Sequence, residues 1–162
     1  MATNTELIKQ LRELTSAGVM NCKRALEESD GDVSKAEKLL KDQGIASAAK
    51  KASRETDQGV IETYVHSGGR IAAIVEVNCE TDFVARTDEF SSLAHDIAMQ
   101  IAAMDPATVG GDEPEANPEE SLLLQPFIKD PSKSIQDLIN ETVGKLGENI
   151  RVRRFQRFSL GE

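Results

Sequence analysis

Apolar side chains recur at helical spacing through the amino-terminal part of the chain, alternate over the next stretch, and then return to helical spacing. Leu7, Ile8, Leu11 and Leu14 fall on one face of a first helix. Thr3-Asn4-Thr5-Glu6 opens it as a capping box, the Thr3 hydroxyl and the Glu6 carboxylate each satisfying the other's backbone donor. Thr15-Ser16-Ala17-Gly18 stops that helix, and a second begins near Asn21 with Cys22, Ala25 and Leu26 inward. Ser29-Asp30-Gly31-Asp32 turns the chain, and Asp32 caps a third helix with Val33, Ala36, Leu39 and Leu40 inward. Gly44 reads as the terminator of that helix, closing a three-helix bundle over residues 1–44. Residues 45–56 are Ala-rich and basic (Lys50, Lys51, Arg54), with little apolar face, and read as an exposed helical connector.

Beyond the connector the period drops to two. Residues 60–66 and 70–78 read as strands, and Ser67-Gly68-Gly69 between them as a tight hairpin, since glycine accepts the positive φ such turns need. A long helix is predicted over 88–104, with Phe90, Leu93, Ala94, Ile97, Ala98, Ile101 and Ala102 as its apolar stripe. Residues 105–120 hold prolines, adjacent glycines and a concentration of carboxylates, and read as a mobile acidic loop. Ser134-Ile135-Gln136-Asp137 opens another capped helix with Ile135, Leu138, Ile139, Val143 and Leu146 inward. The last strand, 150–158, slips phase between Val152 and Phe155, the mark of a bulge or bend. The expected fold class is α+β. A three-helix bundle resembling ubiquitin-associated modules leads through the connector to a core at 57–162, where helices pack a short antiparallel three-stranded sheet.

Charge narrows the list of partners. The net charge of −9 is uneven: residues 1–54 carry +2, residues 55–110 carry −8 and residues 111–162 carry −3. An acidic middle argues against a nucleic-acid groove, because phosphate binding needs neutralising cations. Arg151, Arg153, Arg154 and Arg157 form the only basic cluster after the connector, and a solvated or dimer-facing strand edge is preferred over an RNA contact. The start lacks the apolar stretch of a signal peptide, and no run reaches the length of a membrane span. Cys22 and Cys79 lie far apart, without C-x-x-C spacing, and read as reduced thiols. These features point to a cytoplasmic protein that contacts neither membrane nor nucleic acid.

Catalytic patterns are missing. His66 and His95 have no Ser or Cys near them in sequence to activate. Metal-ligand spacing is absent, as are the phosphate-binding patterns G-x-x-x-x-G-K-[ST] and G-x-G-x-x-G. No cofactor, metal or enzymatic activity is expected. An enzyme built on Cys79 or His66 is the weakest reading, and a docking adaptor remains an alternative.

One short segment resists a bland account. Glu80-Thr81-Asp82-Phe83-Val84-Ala85-Arg86 joins the second strand to the long helix, and either Thr81 or Asp82 fits as the cap of a single helical turn. Phe83 then sits at a corner, as core filler or as an exposed aromatic anchor of the kind that dominates interfaces.

Three stretches together resemble the family of translation elongation factor Ts. They are residues 11–26 (Leu-Arg-Glu-Leu-Thr-Ser-Ala-Gly-Val-Met-Asn-Cys-Lys-Arg-Ala-Leu), residues 75–85 (Val-Glu-Val-Asn-Cys-Glu-Thr-Asp-Phe-Val-Ala) and residues 147–154 (Gly-Glu-Asn-Ile-Arg-Val-Arg-Arg). The resemblance implies a guanine-nucleotide exchange factor for elongation factor Tu that binds its GDP-bound and nucleotide-free forms. It implies that Thr81, Asp82, Phe83 and Val84 act on the magnesium at the partner's nucleotide site, with Asp82 and Phe83 as the working tip. Arg12, Val19, Met20 and Lys23 match positions that contact the partner's G domain. The chain resembles the family's short form, which implies a homodimer and a 2:2 complex. Its 105–120 segment is shorter than in many relatives.

Overall fold

The computed structural model describes residues 4–15, 17–110 and 117–162. Helices α1 (Asn4–Thr15), α2 (Val19–Glu28) and α3 (Val33–Lys51) enclose a small core of Leu11, Cys22, Ala25, Leu26 and Ala36. Leu7, Ile8, Val33, Leu39 and Leu40 pack around it. Leu14, expected inward, is exposed, because it lies at the end of α1 beyond the reach of the small core. Asp32 caps α3 as predicted, its Oδ1 accepting from the Lys35 amide at 3.1 Å. The Thr3 capping box and Ser16 lie outside the described residues.

Gly44 does not end α3. The helix runs through it to Lys51, and the glycine marks a helix crossing instead. A β-carbon on Gly44 would stand 3.4 Å from the Asn140 carbonyl oxygen, and one on Gly144 would stand 3.4 Å from the Gly44 Cα. Here α3 lies against α6 (Ile135–Leu146). The stretch expected to be an exposed helical connector is helical as far as Lys51 and mostly exposed, but it is continuous with α3, and Ala48 packs on the main core.

That core is built on the sheet β1 (Gln58–Val65), β2 (Ile71–Cys79) and β5 (Ile150–Ser159), all antiparallel, with β2 in the centre. The predicted hairpin is present: Gly68 and Gly69 take φ of 91° and 68°, and His66 N–H donates to the Ile71 carbonyl. The single turn α4 (Asp82–Ala85) and the long α5 (Asp88–Met104) follow β2. Every residue of the α5 apolar stripe is buried against the inner face of the sheet, beside Val75, Val77 and Cys79. The phase slip in the last strand is a bulge at Arg153, where the register shifts between Glu76 and Val77. The bulge lets Arg153 and Arg154 both reach Glu76, at 3.7 and 2.8 Å, while Arg157 donates to the Ala102 carbonyl. Three of the four late arginines are thus engaged within the chain.

A two-stranded ribbon, β3 (Pro126–Phe127) and β4 (Asp130–Ser134), is an addition to the expected elements. Buried Gln100 pins it to α5, donating to the Pro126 carbonyl and accepting from the Ile128 amide. Of the acidic loop, residues 111–116 lie outside the described residues. The parts on either side are hydrogen-bonded to each other, with a bridge between Thr108 and Ser121.

Candidate functional site

The turn α4 is held from several directions. Thr81 is its cap: the hydroxyl oxygen accepts from the Val84 amide at 3.3 Å and its hydrogen goes to Glu148 Oε2 at 2.7 Å. The Thr81 backbone N–H donates to the other oxygen, Oε1, of the same carboxylate at 2.9 Å. The Thr81 carbonyl accepts from the buried Cys79 thiol at 3.1 Å. Val84 and Ala85 pack on the core, and Thr87 closes the far side by accepting from the Phe90 amide and donating to the Val84 carbonyl. With Val84 turned inward, the residue before it is turned out. Phe83 is 77% exposed, more than any other large apolar side chain of the described residues. Asp82 sits beside it and pairs with Arg86 at 3.1 Å, an exposed pair that leaves the carboxylate accessible.

A second set of contacts ties this base to the rest of the molecule. Glu80 Oε1 accepts from the Asn149 amide at 2.7 Å and pairs with Arg54 at 3.4 Å. The Asn149 side chain, itself buried, donates to the carbonyls of Ala52 and Arg54 just past the end of α3. The turn 147–149 therefore touches both the base of α4 and the exit of the long helix from the bundle. Gly147, in the left-handed region at φ 78°, ends α6 and allows that turn.

The four bundle positions lie apart from α4. Val19 and Met20 open α2 and Lys23 follows one turn later, so all three share one helical face. Met20 is 67% exposed, and Lys23 reaches Glu27 only at 3.9 Å. Arg12 is exposed in the last turn of α1. The bundle joins the core through α3 and α6, whereas α4 rests on β1, β2 and α5.

The family model described as Elongation factor TS matches residues 7–117, which include both the bundle face and α4. The chain belongs to the elongation factor Ts family. A relative from Carboxydothermus hydrogenoformans, named Elongation factor Ts, is 47% identical across 98% of this chain and 89% of its own. One from Herpetosiphon aurantiacus is 44% identical across 99% of both chains. A third, from Thermosynechococcus vestitus, is 45% identical over 98% of this chain but 66% of its own length. The first of these alignments runs over 193 positions, more than the 162 residues here, so that relative carries residues this chain lacks. Elongation factor Ts proteins serve translation elongation, and protein biosynthesis is the process to which this chain is assigned.

Burial, then the nearby Glu148 carboxylate, push the Cys79 thiol up to about 11, so it is not a nucleophile near neutral pH. His66 and His95 are exposed and flank Tyr64, whose hydroxyl is 3.2 Å from His66 Nδ1. Among the described residues no three His, Cys, Asp or Glu side chains group as metal ligands would. No described helix is long and apolar enough to cross a membrane. The residues that reading the sequence alone overlooked are Glu80, Glu148 and Asn149. Glu148 is separated from Thr81 by 67 positions, and a Gly-Glu-Asn turn between helix and strand carries no local sign of such a partner.

Proposed function

We propose that this protein is the guanine-nucleotide exchange factor for elongation factor Tu. It binds the GDP form, dislodges magnesium from the nucleotide site, promotes GDP release, and stabilises the nucleotide-free state until GTP binds. The observation that carries this reading is Phe83, a large apolar side chain exposed at the tip of a turn whose base is fixed by hydrogen bonds on both sides. Leaving a Phe in water forgoes the roughly 1.5–3 kcal/mol that its burial gives, and a partner pocket recovers it. Thr81 and Val84 hold the tip; Asp82 and Phe83 work at it. Exposed apolar anchors on rigid corners are what interface hot spots are made of.

The bundle has its own part. Driving a two-state site from 1:99 to 99:1 takes about 5.5 kcal/mol, more than one Phe supplies. Arg12, Val19, Met20 and Lys23 add binding energy that offsets the cost of holding the partner's site distorted. Linkage then requires that nucleotide and magnesium weaken this factor's binding by the same ratio by which the factor weakens theirs. Exchange follows from that reciprocity, without an enzymatic step or a cofactor in this chain.

A second copy of this chain completes the assembly. The outer face of the sheet carries Ile61, Val65, Ala72, Ile74 and Phe158, with Ile61 65% and Phe158 62% exposed and no element among the described residues paired across them. Exposed apolar side chains on a sheet face, here interspersed with Thr63, Gln156 and the Glu76–Arg154 pair, are covered economically by a symmetry mate, sheet on sheet. The result is a homodimer carrying two partner molecules, a 2:2 complex in the cytoplasm.

Release of labelled GDP from elongation factor Tu tests the reading. The chain accelerates release, and Phe83→Ala removes most of the acceleration while the complex still forms. Full acceleration by the variant would overturn the wedge, and a complex without acceleration would make the chain a docking adaptor.

A further inference from the structure

We propose that Glu148 is the positioning residue of the wedge, its carboxylate holding α4 at the angle at which Phe83 meets the partner. This inference rests on the exchange reading above and adds a residue outside the segment that touches the partner. A lever transmits force only if its mount is stiffer than its load, and α4 is too short to be stiff by itself: four residues form a single turn. Beyond the packing of Val84 and Ala85, its direction has to come from what grips its cap, Thr81.

The grip is unusually complete at Thr81. One carboxylate accepts both the backbone N–H, at 2.9 Å, and the hydroxyl, at 2.7 Å. Charge-assisted bonds of this kind are shorter and stronger than neutral ones, and two of them to one planar group fix direction as well as distance. Because the hydroxyl gives its hydrogen to Glu148, its lone pair faces the Val84 amide and caps the turn. The clamp and the cap are therefore one hydrogen-bond chain, running from Glu148 through Thr81 to Val84. The adjacent Asn149 fastens the same turn to Glu80 and to the exit of α3, so Glu148 is itself firmly placed. Gln at 148 keeps one acceptor oxygen and replaces the other with a donor, so the two Thr81 groups no longer each have their own charged oxygen to donate to.

Hydrogen exchange on the full chain, together with GDP release, tests the proposal. In Glu148→Gln the amides of Thr81 and Val84 exchange about tenfold faster, the change expected from losing a hydrogen bond to a charged group. Amides inside β2 and α5 keep their wild-type rates. The maximal GDP-release rate at saturating factor falls by about tenfold, while the half-saturating concentration stays within about twofold, because the bundle face is untouched. Thr81→Val, which removes only the hydroxyl, lowers the release rate likewise and speeds exchange at Val84, and Thr81→Ser rescues both by keeping the hydroxyl. The Glu148→Gln/Thr81→Val double variant is no worse than Glu148→Gln alone. A purely structural role would shift the half-saturating concentration or the exchange of distant amides instead, and that result would overturn the proposal. Unchanged exchange at Thr81 and Val84 would overturn it as well. Faster amide exchange with an unchanged release rate, in an assay where Phe83→Ala is inactive, would remove the positioning role and leave the wedge standing. If Phe83→Ala were itself fully active, the exchange reading would fall first.

Discussion

Cys79 reports on the base of α4 because its thiol donates to the Thr81 carbonyl. Burial and the Glu148 carboxylate favour the neutral thiol and push it up to about 11 from 9.0. A group whose folded value is raised stabilises the fold fully below its unfolded value and loses that contribution as pH climbs through the folded one. Stability should therefore decline as pH rises from about 9 to about 11, a fall that unfolding in urea at stepped pH would measure. Cys22 is also buried. In the folded protein at pH 8, a thiol reagent should label neither cysteine until denaturant is added. Rapid labelling of Cys79 in a Cys22→Ser variant would show that the 79–81 junction opens in the native state. Glu76, on the outer face of the sheet, is partly buried beneath Arg153 and Arg154, and the Arg154 hydrogen bond holds its carboxyl below its ordinary value.

Among the elements, those with a complete apolar stripe were legible from the sequence, and α5 is the clearest case, since each predicted stripe residue is buried. The β1–β2 hairpin was legible through its glycine pair and the bulge through its phase slip, because both are local signals. Gly44 was misread for the opposite reason. A glycine after an amphipathic stretch has the look of a stop, but its meaning here is set by Asn140 and Gly144 on a helix far along the chain. The ribbon of β3 and β4 was missed because neither strand alternates and its anchor, Gln100, belongs to another element. Of the site, a capped turn was visible in sequence with Thr81 or Asp82 as its cap, whereas the choice of Thr81, the direction of Phe83 and the Glu148 clamp depended on contacts that only folding creates. The Gly44 crossing can be tested. Gly44→Leu should cost about 1–3 kcal/mol by overpacking the contact between α3 and α6. Gly44→Ala should be close to neutral, as a gain of up to ~1 kcal/mol in helix propensity offsets the tight approach. Thermal unfolding of the two variants would distinguish this arrangement from an exposed α3, in which both substitutions would stabilise.

At the scale of the molecule, the sheet divides the labour: its inner face is filled by α5, and its outer face offers Ile61, Val65, Ile74 and Phe158 to water. Placing a charge there should separate the copies. Ile61→Glu with Phe158→Glu should sediment as a monomer where the unmodified chain sediments as a dimer, with circular dichroism unchanged. A monomeric unmodified chain at the same concentration would remove the paired assembly. The two anchors of α4 also differ in when they come into being. Synthesis runs from the amino terminus, so Thr81 and Phe83 emerge long before Glu148, 67 positions after Thr81. A chain interrupted between them has the aromatic tip and only part of its mount. The Glu148 and Asn149 bonds at the base of α4 can form only in chains whose translation has passed the turn at 147–149.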